Sequence, residues 1–374
     1  MPMRNTLLGV LAFFAAFLAV NRMVVARVPL PAALGLRTKA KFLAEHLEDY
    51  DAIWIGSSAT LYGLRPEVFN AELERLGHPG FRIYNLGIGG MGSFETVPVL
   101  RRVLEAKPKR MKWVFYEEPV FDSLLWSPNI VIQRYIHWHD TDTTLNAIDA
   151  LQYATKPPSE EKRKLYEDFL LAGGDGEWRR GAAWEHVQLG LRRELAVGQG
   201  PRLYDYYCGG PDTAWPSAQE ISEGDGWMDI GLDPEPGAKR GHVTFRSHPE
   251  VWKNKVAQMV GLEAERPDPM KSYDLDSLRS LIKEIRSAGL EPIMYTPQRG
   301  LPSSMMLSLA DRGELPALFP FHLTQEYPEL VDMELHYDDA HLTAEGATLW
   351  SRRFAERFDR YLRERGVEAR RTGD

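Results

Sequence analysis

Three short apolar segments in the first 120 residues each stop abruptly at a turn, and this pattern constrains the fold more than any other feature. The segments are 51–55, 81–86 and 112–116. Stretches with helical spacing of apolar residues follow the first two, at 66–76 and 94–106. Strands that alternate with helices at this spacing predict a parallel sheet covered by helices on both faces.

The same alternation returns near the end of the chain. A helical pattern over 275–288 is followed by Gly289 and by an apolar strand over 291–296. An amphipathic pattern over 344–363 predicts a final helix, and 38–47 predicts a short helix before the first strand. The fold class expected from these elements is α/β with a central parallel sheet.

Composition sets the size and excludes some partners. The 374 residues are 44% hydrophobic and 11% aromatic, enough for one large elaborated domain or two ordinary domains. The net charge is -8, with acidic and basic residues mixed along the chain, so no basic stripe exists and nucleic acid is not an expected partner. The single cysteine, Cys208, excludes a disulfide framework within the chain.

The N-terminus carries an uncharged apolar segment, 6–20, bounded by Arg4 and by Asn21 and Arg22. It could be the core of a cleaved signal peptide or a membrane anchor. Because no small-x-small cleavage site follows it, the interpretation we favour is a retained anchor, a helix from about residue 7 to 25 that packs little on the globular part. A buried helix of a soluble protein is the weaker alternative, since the segment has no polar face. The protein is therefore expected to be membrane-anchored and extracytoplasmic.

Between 121 and 268 the strand-helix alternation is lost, which predicts an inserted cap over the carboxyl edge of the sheet, where open α/β folds bind ligands. Its tryptophans could stack on a glycan or simply pack the insertion. The expected organisation is an anchor (1–27), a linker with a short helix (28–48), a first core half (49–120), the insertion (121–268), a second core half (269–366) and a tail (367–374).

The first candidate catalytic residue is Ser58, in the run Gly56-Ser57-Ser58 directly after the first predicted strand. A serine at the carboxyl edge of a sheet can present its hydroxyl to a cleft, beside the N–H groups of the next helix. The alternative is a turn that only ends the strand and caps the helix.

The second candidate segment is Asn85-x-Gly-x-x-Gly90, directly after the second predicted strand. Its glycines allow close backbone approach and could offer an N–H to an oxyanion, or they could form a plain turn. A dinucleotide site is not expected, since the glycine spacing of that motif is incomplete.

The third candidate segment is Asp338-x-x-His341, just before the last predicted helix. His341 can take the serine proton as a base, and Asp338 can orient the imidazole. Thr343 is the expected helix cap, with Gly346 in the first turn. A lone histidine here would more often be structural; the joint occurrence with Ser58 favours catalysis.

These three blocks, in this order, resemble the SGNH (GDSL-like) hydrolase superfamily over about 49–121 and 272–362. The resemblance implies a flavodoxin-like three-layer sandwich, with Ser58 as nucleophile, His341 as base and Asp338 as orienting acid. It also implies that the backbone N–H groups of Ser58 and Gly90 form the oxyanion hole, and it requires no cofactor.

Two departures from the superfamily pattern stand out. Ser57 occupies a position that is usually aspartate in the superfamily, and the same substitution is seen in membrane-anchored relatives. After the third strand, Glu117-Glu118-Pro119 replaces the usual Gly-x-Asn-Asp block, so the side-chain amide donor is absent. Asn85, Glu117 and Glu118 remain possible substrate-side residues; the alternative for the two glutamates is a structural role as acceptors of backbone hydrogen bonds.

The anchor and the divergent third block are similar to extracytoplasmic relatives of the DltD and AlgJ/AlgX type. This implies acyl transfer or deacylation on an envelope glycan or lipid, with an acyl donor, a glycan or lipid acceptor, the membrane and a membrane-bound acyltransferase as partners. The alternative function is a catalytically weakened polysaccharide-binding or assembly protein. Metal-dependent catalysis at His137-x-His139 is the least favoured of the three functions, because no further ligand has suitable spacing.

Overall fold

The chain forms two compact units. The computed structural model describes residues 2–25, 30, 35–119, 133–151, 177–194, 217–233, 236–268, 273–298 and 304–366. The first unit comprises Met1–Ala33, Phe121–Pro211 and Lys271–Asp276, and the second comprises Leu34–Val120, Asp212–Met270 and Ser277–Asp374. The boundary near residue 211 divides the predicted insertion between the two units.

The second unit is built on a five-stranded parallel sheet, which confirms the predicted α/β class. The strands are β1 (Ala52–Gly56), β2 (Ile83–Gly87), β3 (Trp113–Glu117), β4 (Glu291–Thr296) and β5 (Leu318–Pro320), and their order across the sheet is β2-β1-β3-β4-β5. In register, Gly56 of β1 pairs with Gly87 of β2, and Ile55 pairs with Tyr116 of β3. The carboxyl ends of the three strands therefore meet at one edge.

Helices precede, connect and follow these strands. They are α1 (Pro2–Val25), α2 (Leu36–His46), α3 (Ser58–Gly63), α4 (Pro66–Arg75), α5 (Ser93–Glu105), α6 (Gln133–Trp138), α7 (Thr141–Ala150), α8 (Glu177–Glu194), α9 (Ala218–Glu223), α10 (Pro236–Ser247), α11 (Pro249–Leu262), α12 (Tyr273–Ser287), α13 (Ser304–Asp311) and α14 (Ala344–Glu364). Short 3₁₀ turns span Leu47–Asp49, Ile230–Leu232, Pro328–Val331 and Met333–Leu335.

An aromatic core fills the space between the sheet and α14. Trp54, Phe115 and Tyr295 project from the three central strands, and Phe354 of α14 lies within 5.1–5.4 Å of all three ring centroids. All four side chains are at most 1% exposed. Strands buried on both faces explain the continuous apolar runs in the sequence, and the large rings fix α14, and the loop before it, against the sheet.

The sequence prediction did not include β5 or α13. β5 has only three residues and ends in Pro320, so it shows neither the length nor the alternation by which a strand is recognised. The charged, helix-like sequence at 159–171 lies outside the described residues. From the second half of the insertion, α9, α10 and α11 belong to the same unit as the sheet.

In the first unit, α1 has the composition of a membrane span. Among the helices in the described part of the chain, α1 is the one that is long and apolar enough to cross a bilayer; the span is Asn5–Met23, with a mean hydropathy of 1.8. Its large apolar side chains are exposed. Its C-terminal end is engaged with α8: Asn21 is buried and donates to the backbone oxygen of Glu194, and Arg22 lies 3.6 Å from the Glu194 carboxylate.

Candidate active site

Ser58 is the first residue of α3 and follows β1 directly. Ser57 is the N-cap of α3, and its hydroxyl accepts a hydrogen bond of 3.2 Å from the backbone N–H of Ala59. The Ser58 side chain is half-buried at the carboxyl edge of the sheet. A strand, a glycine and a capped helix therefore place this hydroxyl where the sequence predicted.

Ser58, His341 and Asp338 form a continuous hydrogen-bonded chain. His341 Nε2 lies 2.8 Å from Ser58 Oγ, and His341 Nδ1 lies 2.9 Å from both carboxylate oxygens of Asp338. Because a carboxylate only accepts, the proton of the neutral ring belongs on Nδ1, and Nε2 is left to accept from the serine hydroxyl. The geometry matches that of a nucleophile, a base and an orienting acid.

The environment keeps Asp338 ionised. Burial raises the pKa of Asp338, but hydrogen bonds from the His341 ring and from the backbone N–H groups of Ala340 and His341 outweigh it and hold the pKa below its usual value. The acid therefore carries its negative charge at neutral pH, as an imidazolium partner requires.

The Tyr62 ring packs against the His341 ring. The two rings meet edge to face, with centroids 5.4 Å apart, and the Tyr62 hydroxyl donates to Asp233 at 3.2 Å. Burial and the nearby Asp233 carboxylate raise the pKa of Tyr62, so the phenol stays protonated. Sequence reasoning missed Tyr62, because its role depends on a ring that is 279 positions away in the chain.

The loop that carries the acid and base is closed by its own backbone. His336 and Leu342 form an antiparallel bridge, and Thr343 N–H donates to Leu335 oxygen at 2.9 Å. Thr343 caps α14 by accepting from Gly346 N–H, as predicted. A side chain at Gly346 would lie 2.2 Å from the Leu335 oxygen, so glycine is required for this closure.

Gly90 follows β2, the strand that neighbours β1. Its φ of 64° lies in the left-handed region, and the residue is exposed. The preceding turn is fixed to β1, since Ile88 N–H donates to the Gly56 oxygen at 3.0 Å. Ser58 and Gly90 thus stand at the ends of adjacent strands, on the same edge of the sheet.

The prediction that Asn85 faces the substrate does not fit the structure. Its side chain is fully buried, its amide nitrogen donates to the oxygens of Thr60 and Leu64 at 2.7 Å, and its amide oxygen accepts from Gly87 N–H at 2.8 Å. These hydrogen bonds tie α3 to β2. Asn85 is therefore a structural residue of the site.

Glu117 also has a structural role, which was the alternative to a substrate-side role for this residue. This carboxylate is buried at the end of β3, with both oxygens accepting hydrogen bonds from Ser57 and Thr60. Glu118 is half-buried, and its backbone N–H donates to the Tyr295 oxygen at 2.9 Å. An ionised carboxylate cannot donate to an oxyanion, so neither residue replaces the absent amide.

Lys39 is a buried lysine that the sequence did not point to. Its Nζ donates to the backbone oxygens of Asn85 and Gly87, at 3.0 and 2.6 Å, at the end of β2. The side chain is fully buried, and burial holds the pKa of Lys39 well below its usual value. It therefore fixes the strand end that leads to Gly90.

Helices α10 and α11 pack on the loop that carries Asp338 and His341. His242 Nδ1 donates to the Tyr337 oxygen at 2.6 Å, Arg246 donates to the His336 oxygen at 3.2 Å, and Lys255 forms a 2.7 Å ion pair with Asp339. A cavity of about 550 Å³ lies between these helices and the loop. It is lined by Arg240, Gly241, Thr244, Phe245, His248, Val251, Asp338 and Asp339.

The candidate stacking tryptophans occupy different environments. Trp138 is buried, Trp184 is 40% exposed, and Trp227 is half-buried beneath the Arg65 guanidinium, which lies 4.5 Å from the ring centroid. The side chains of Trp126, Trp178 and Trp215 lie outside what the structure describes.

One of the two histidines considered for a metal site, His139, is hydrogen-bonded to a third histidine, His186. His139 Nε2 lies 3.0 Å from His186 Nδ1, and His137 is also buried. Among the described residues, no group of three or more histidine, cysteine or acidic side chains is arranged to hold a metal ion.

The chain was compared with known proteins at the level of families and of individual sequences. No family model matches it, and none of the curated proteins matches it significantly.

Proposed function

We propose that this protein is a membrane-anchored serine acyl-transfer enzyme of the SGNH type, acting on an ester of a cell-envelope glycan or lipid. The observation that carries the proposal is the continuous chain from Ser58 through His341 to Asp338 at the carboxyl edge of a parallel sheet. The order of the sequence blocks supports the same assignment. In this proposal α1 is the membrane anchor, and the catalytic unit faces the extracytoplasmic side.

The first half-reaction forms an acyl-enzyme. Ser58 Oγ attacks the ester carbonyl carbon of the acyl donor, and its proton passes to His341 Nε2 while Asp338 stabilises the imidazolium. The oxyanion faces the backbone N–H groups of Ser58 and Gly90. When the intermediate collapses, the C–O bond to the leaving group breaks and His341 returns the proton to the departing alkoxide.

The second half-reaction transfers the acyl group. A hydroxyl of the acceptor, or water, gives its proton to His341 Nε2 and attacks the acyl carbon; the bond between this carbon and Ser58 Oγ then breaks, and His341 returns the proton to Oγ, which restores the Ser58 hydroxyl. The cavity beside Asp338 suits a glycan acceptor, because Arg240, Thr244 and His248 offer hydrogen-bonding groups next to the apolar side chains of Phe245 and Val251. A membrane-bound acyltransferase would supply the acyl donor.

The second candidate function is a polysaccharide-binding or assembly protein with little catalytic power. One observation favours it: the end of β3 presents buried or half-buried carboxylates where a side-chain amide donor is expected. Losing one oxyanion donor costs about 3 kcal/mol in the transition state, which slows the reaction on the order of 100-fold or more. This loss weakens an esterase without removing the triad.

Acyl release from a chromogenic acetyl ester distinguishes the candidates. The full-length protein in detergent is assayed with and without envelope glycan acceptors, beside Ser58→Ala and the matched control Ser308→Ala, a buried serine on α13. The proposal predicts release that depends on Ser58 and is accelerated by an acceptor that becomes acylated. Fast hydrolysis unaffected by acceptors would indicate an esterase; no release together with glycan binding would favour the binding protein.

A further inference from the structure

The carboxylate of Glu117 lies directly beneath the turn that presents the nucleophile. Its Oε1 accepts from Ser57 Oγ at 2.6 Å, and its Oε2 accepts from Ser57 N–H at 2.8 Å and from the Thr60 hydroxyl. Glu117 is 4% exposed. Its hydrogen bonds hold Ser57, which precedes Ser58, and Thr60, which lies two positions after it.

Glycine at position 56 makes room for this carboxylate. A side chain there would place its first carbon 2.2 Å from Glu117 Oε2 and 2.3 Å from Thr60 Oγ1. The Gly56-Ser57-Ser58 run therefore serves two purposes: the Ser58 hydroxyl is hydrogen-bonded to His341, while Gly56 and Ser57 accommodate a carboxylate from the neighbouring strand β3.

The hydrogen bonds continue across the sheet. The Thr60 hydroxyl is also hydrogen-bonded to the Tyr295 hydroxyl on β4, and Tyr295 is fully buried. Side chains from β3 and β4 thus fix the first turn of α3, whereas the Ser58 hydroxyl itself is hydrogen-bonded to His341. The direction of the Ser58 side chain is set by residues on both sides of it, and these are held by Glu117.

We propose that Glu117 is a positioning residue, whose carboxylate fixes the β1–α3 turn so that Ser58 Oγ stays within hydrogen-bonding distance of His341 Nε2. This inference rests on the proposed function, because it concerns the alignment of the nucleophile with its base. Misplacing a reacting group by about 1 Å can cost about 100-fold in rate. Glu117 therefore affects the chemical step and not the affinity for substrate.

The test is the rate at which a fluorophosphonate probe inactivates the full-length protein, resolved into the maximal inactivation rate and the probe concentration at half that rate. In Glu117→Gln, the amide NH₂ group replaces the oxygen that accepts from the Ser57 hydroxyl, so this hydroxyl loses its acceptor, and the remaining hydrogen bonds from Ser57 N–H and Thr60 lose the carboxylate charge that strengthens them; the turn is therefore held less firmly. The maximal rate is expected to fall about 10- to 100-fold, with the half-saturating probe concentration nearly unchanged. Thr60→Val removes one donor only and is expected to lower the rate less.

A reciprocal exchange separates positioning from general destabilisation. Ser57→Asp alone sets two carboxylates face to face and is expected to lower the rate. In the double variant Ser57→Asp/Glu117→Gln, the amide introduced on β3 donates to the carboxylate introduced at the N-cap of α3. The inactivation rate is then expected to recover at least about tenfold relative to Glu117→Gln. The matched control is Glu263→Gln, which alters another buried carboxylate, one that accepts from Thr324 N–H, and is expected to label normally.

The outcomes are distinguishable. If folded wild type does not react with the probe, the proposed function fails and this inference falls with it. If wild type reacts and Glu117→Gln reacts equally fast, or the double variant is no faster than Glu117→Gln, the proposed function stands and the positioning role is overturned. Thermal melting of each variant shows whether it is folded. If Glu117→Gln and Glu263→Gln have equally lowered melting temperatures and equal labelling rates, the positioning role is also overturned.

Discussion

Acidification is expected to destabilise the unit that carries the triad, through His336. This histidine is fully buried, its Nε2 donates to the Leu330 oxygen at 2.8 Å, and its ring packs 4.2 Å from the Trp252 ring. Burial lowers the pKa of His336 from its usual 6.5 to about 4. The unfolded chain therefore binds a proton between pH 6.5 and pH 4 that the folded chain does not.

The sign and the size of the effect follow from this difference. Because the unfolded state gains the proton first, the free energy of unfolding falls as the pH is lowered through about 6.5, by about 1.4 kcal/mol per pH unit. The fall ends near pH 4, where the folded state also binds the proton, for a total of about 3 kcal/mol. In a unit of this size the melting temperature changes by roughly 2–4 °C per kcal/mol.

The assay compares the melting temperatures of wild type and His336→Gln between about pH 7 and pH 4. The glutamine amide can still donate to Leu330, but it does not titrate and loses the ring contact with Trp252, so the variant is less stable at neutral pH. His322, also buried with its pKa lowered to about 4, remains in both proteins. The wild-type curve is expected to be steeper, and the gap between the curves to close by roughly 6–12 °C. Parallel curves would refute the reasoning.

Three further outcomes are expected. Asp338→Asn should lower the rate of ester cleavage about 10³-fold, because a neutral amide no longer favours the proton on Nδ1 of His341; a loss below about tenfold in ester turnover would contradict the orienting role. Lys39→Met should remove a pH dependence. Burial lowers the pKa of Lys39, so just below its usual pKa of 10.5 the unfolded state binds a proton that the folded state lacks, and wild-type stability rises relative to the variant as the pH approaches 10.5; melting curves that keep a constant separation in this range would contradict this. The full chain should stay in the membrane pellet after an alkaline carbonate wash, whereas a chain lacking 1–27 should not; release of the full chain would contradict the anchor.

The sheet strands were largely predictable because each is a compact apolar run ending in a turn. The predicted strand at 291–296 coincides with β4, and the predicted strands at 51–55 and 112–116 differ from β1 and β3 by one residue at each end. β5 was missed because a three-residue strand ending in proline leaves no periodic pattern. Its position depends on pairing with β4, which is a tertiary contact.

The candidate site was predictable only in part. The hydrogen-bonded contact among Ser58, Asp338 and His341 could be predicted because the three blocks occur together in an order that places them at one edge of the sheet. Contacts across strands could not be predicted: Glu117 reaches Ser57 from 60 positions away, and Lys39 reaches the Gly87 oxygen from 48. The prediction for Asn85 was wrong because the sequence shows a polar residue at a strand end but does not show the backbone groups that hydrogen-bond to its buried side chain.

The most direct test of the account is whether Ser58 forms a covalent adduct. Full-length protein in detergent is treated with a fluorophosphonate and digested, and the modified peptide is identified by mass spectrometry. We expect phosphonylation of Ser58 in wild type and in Ser308→Ala, strongly reduced labelling in His341→Ala, and none in Ser58→Ala, since only a serine activated by a base reacts. A folded wild-type protein without an adduct on Ser58, or equal labelling of Ser58→Ala, would contradict it.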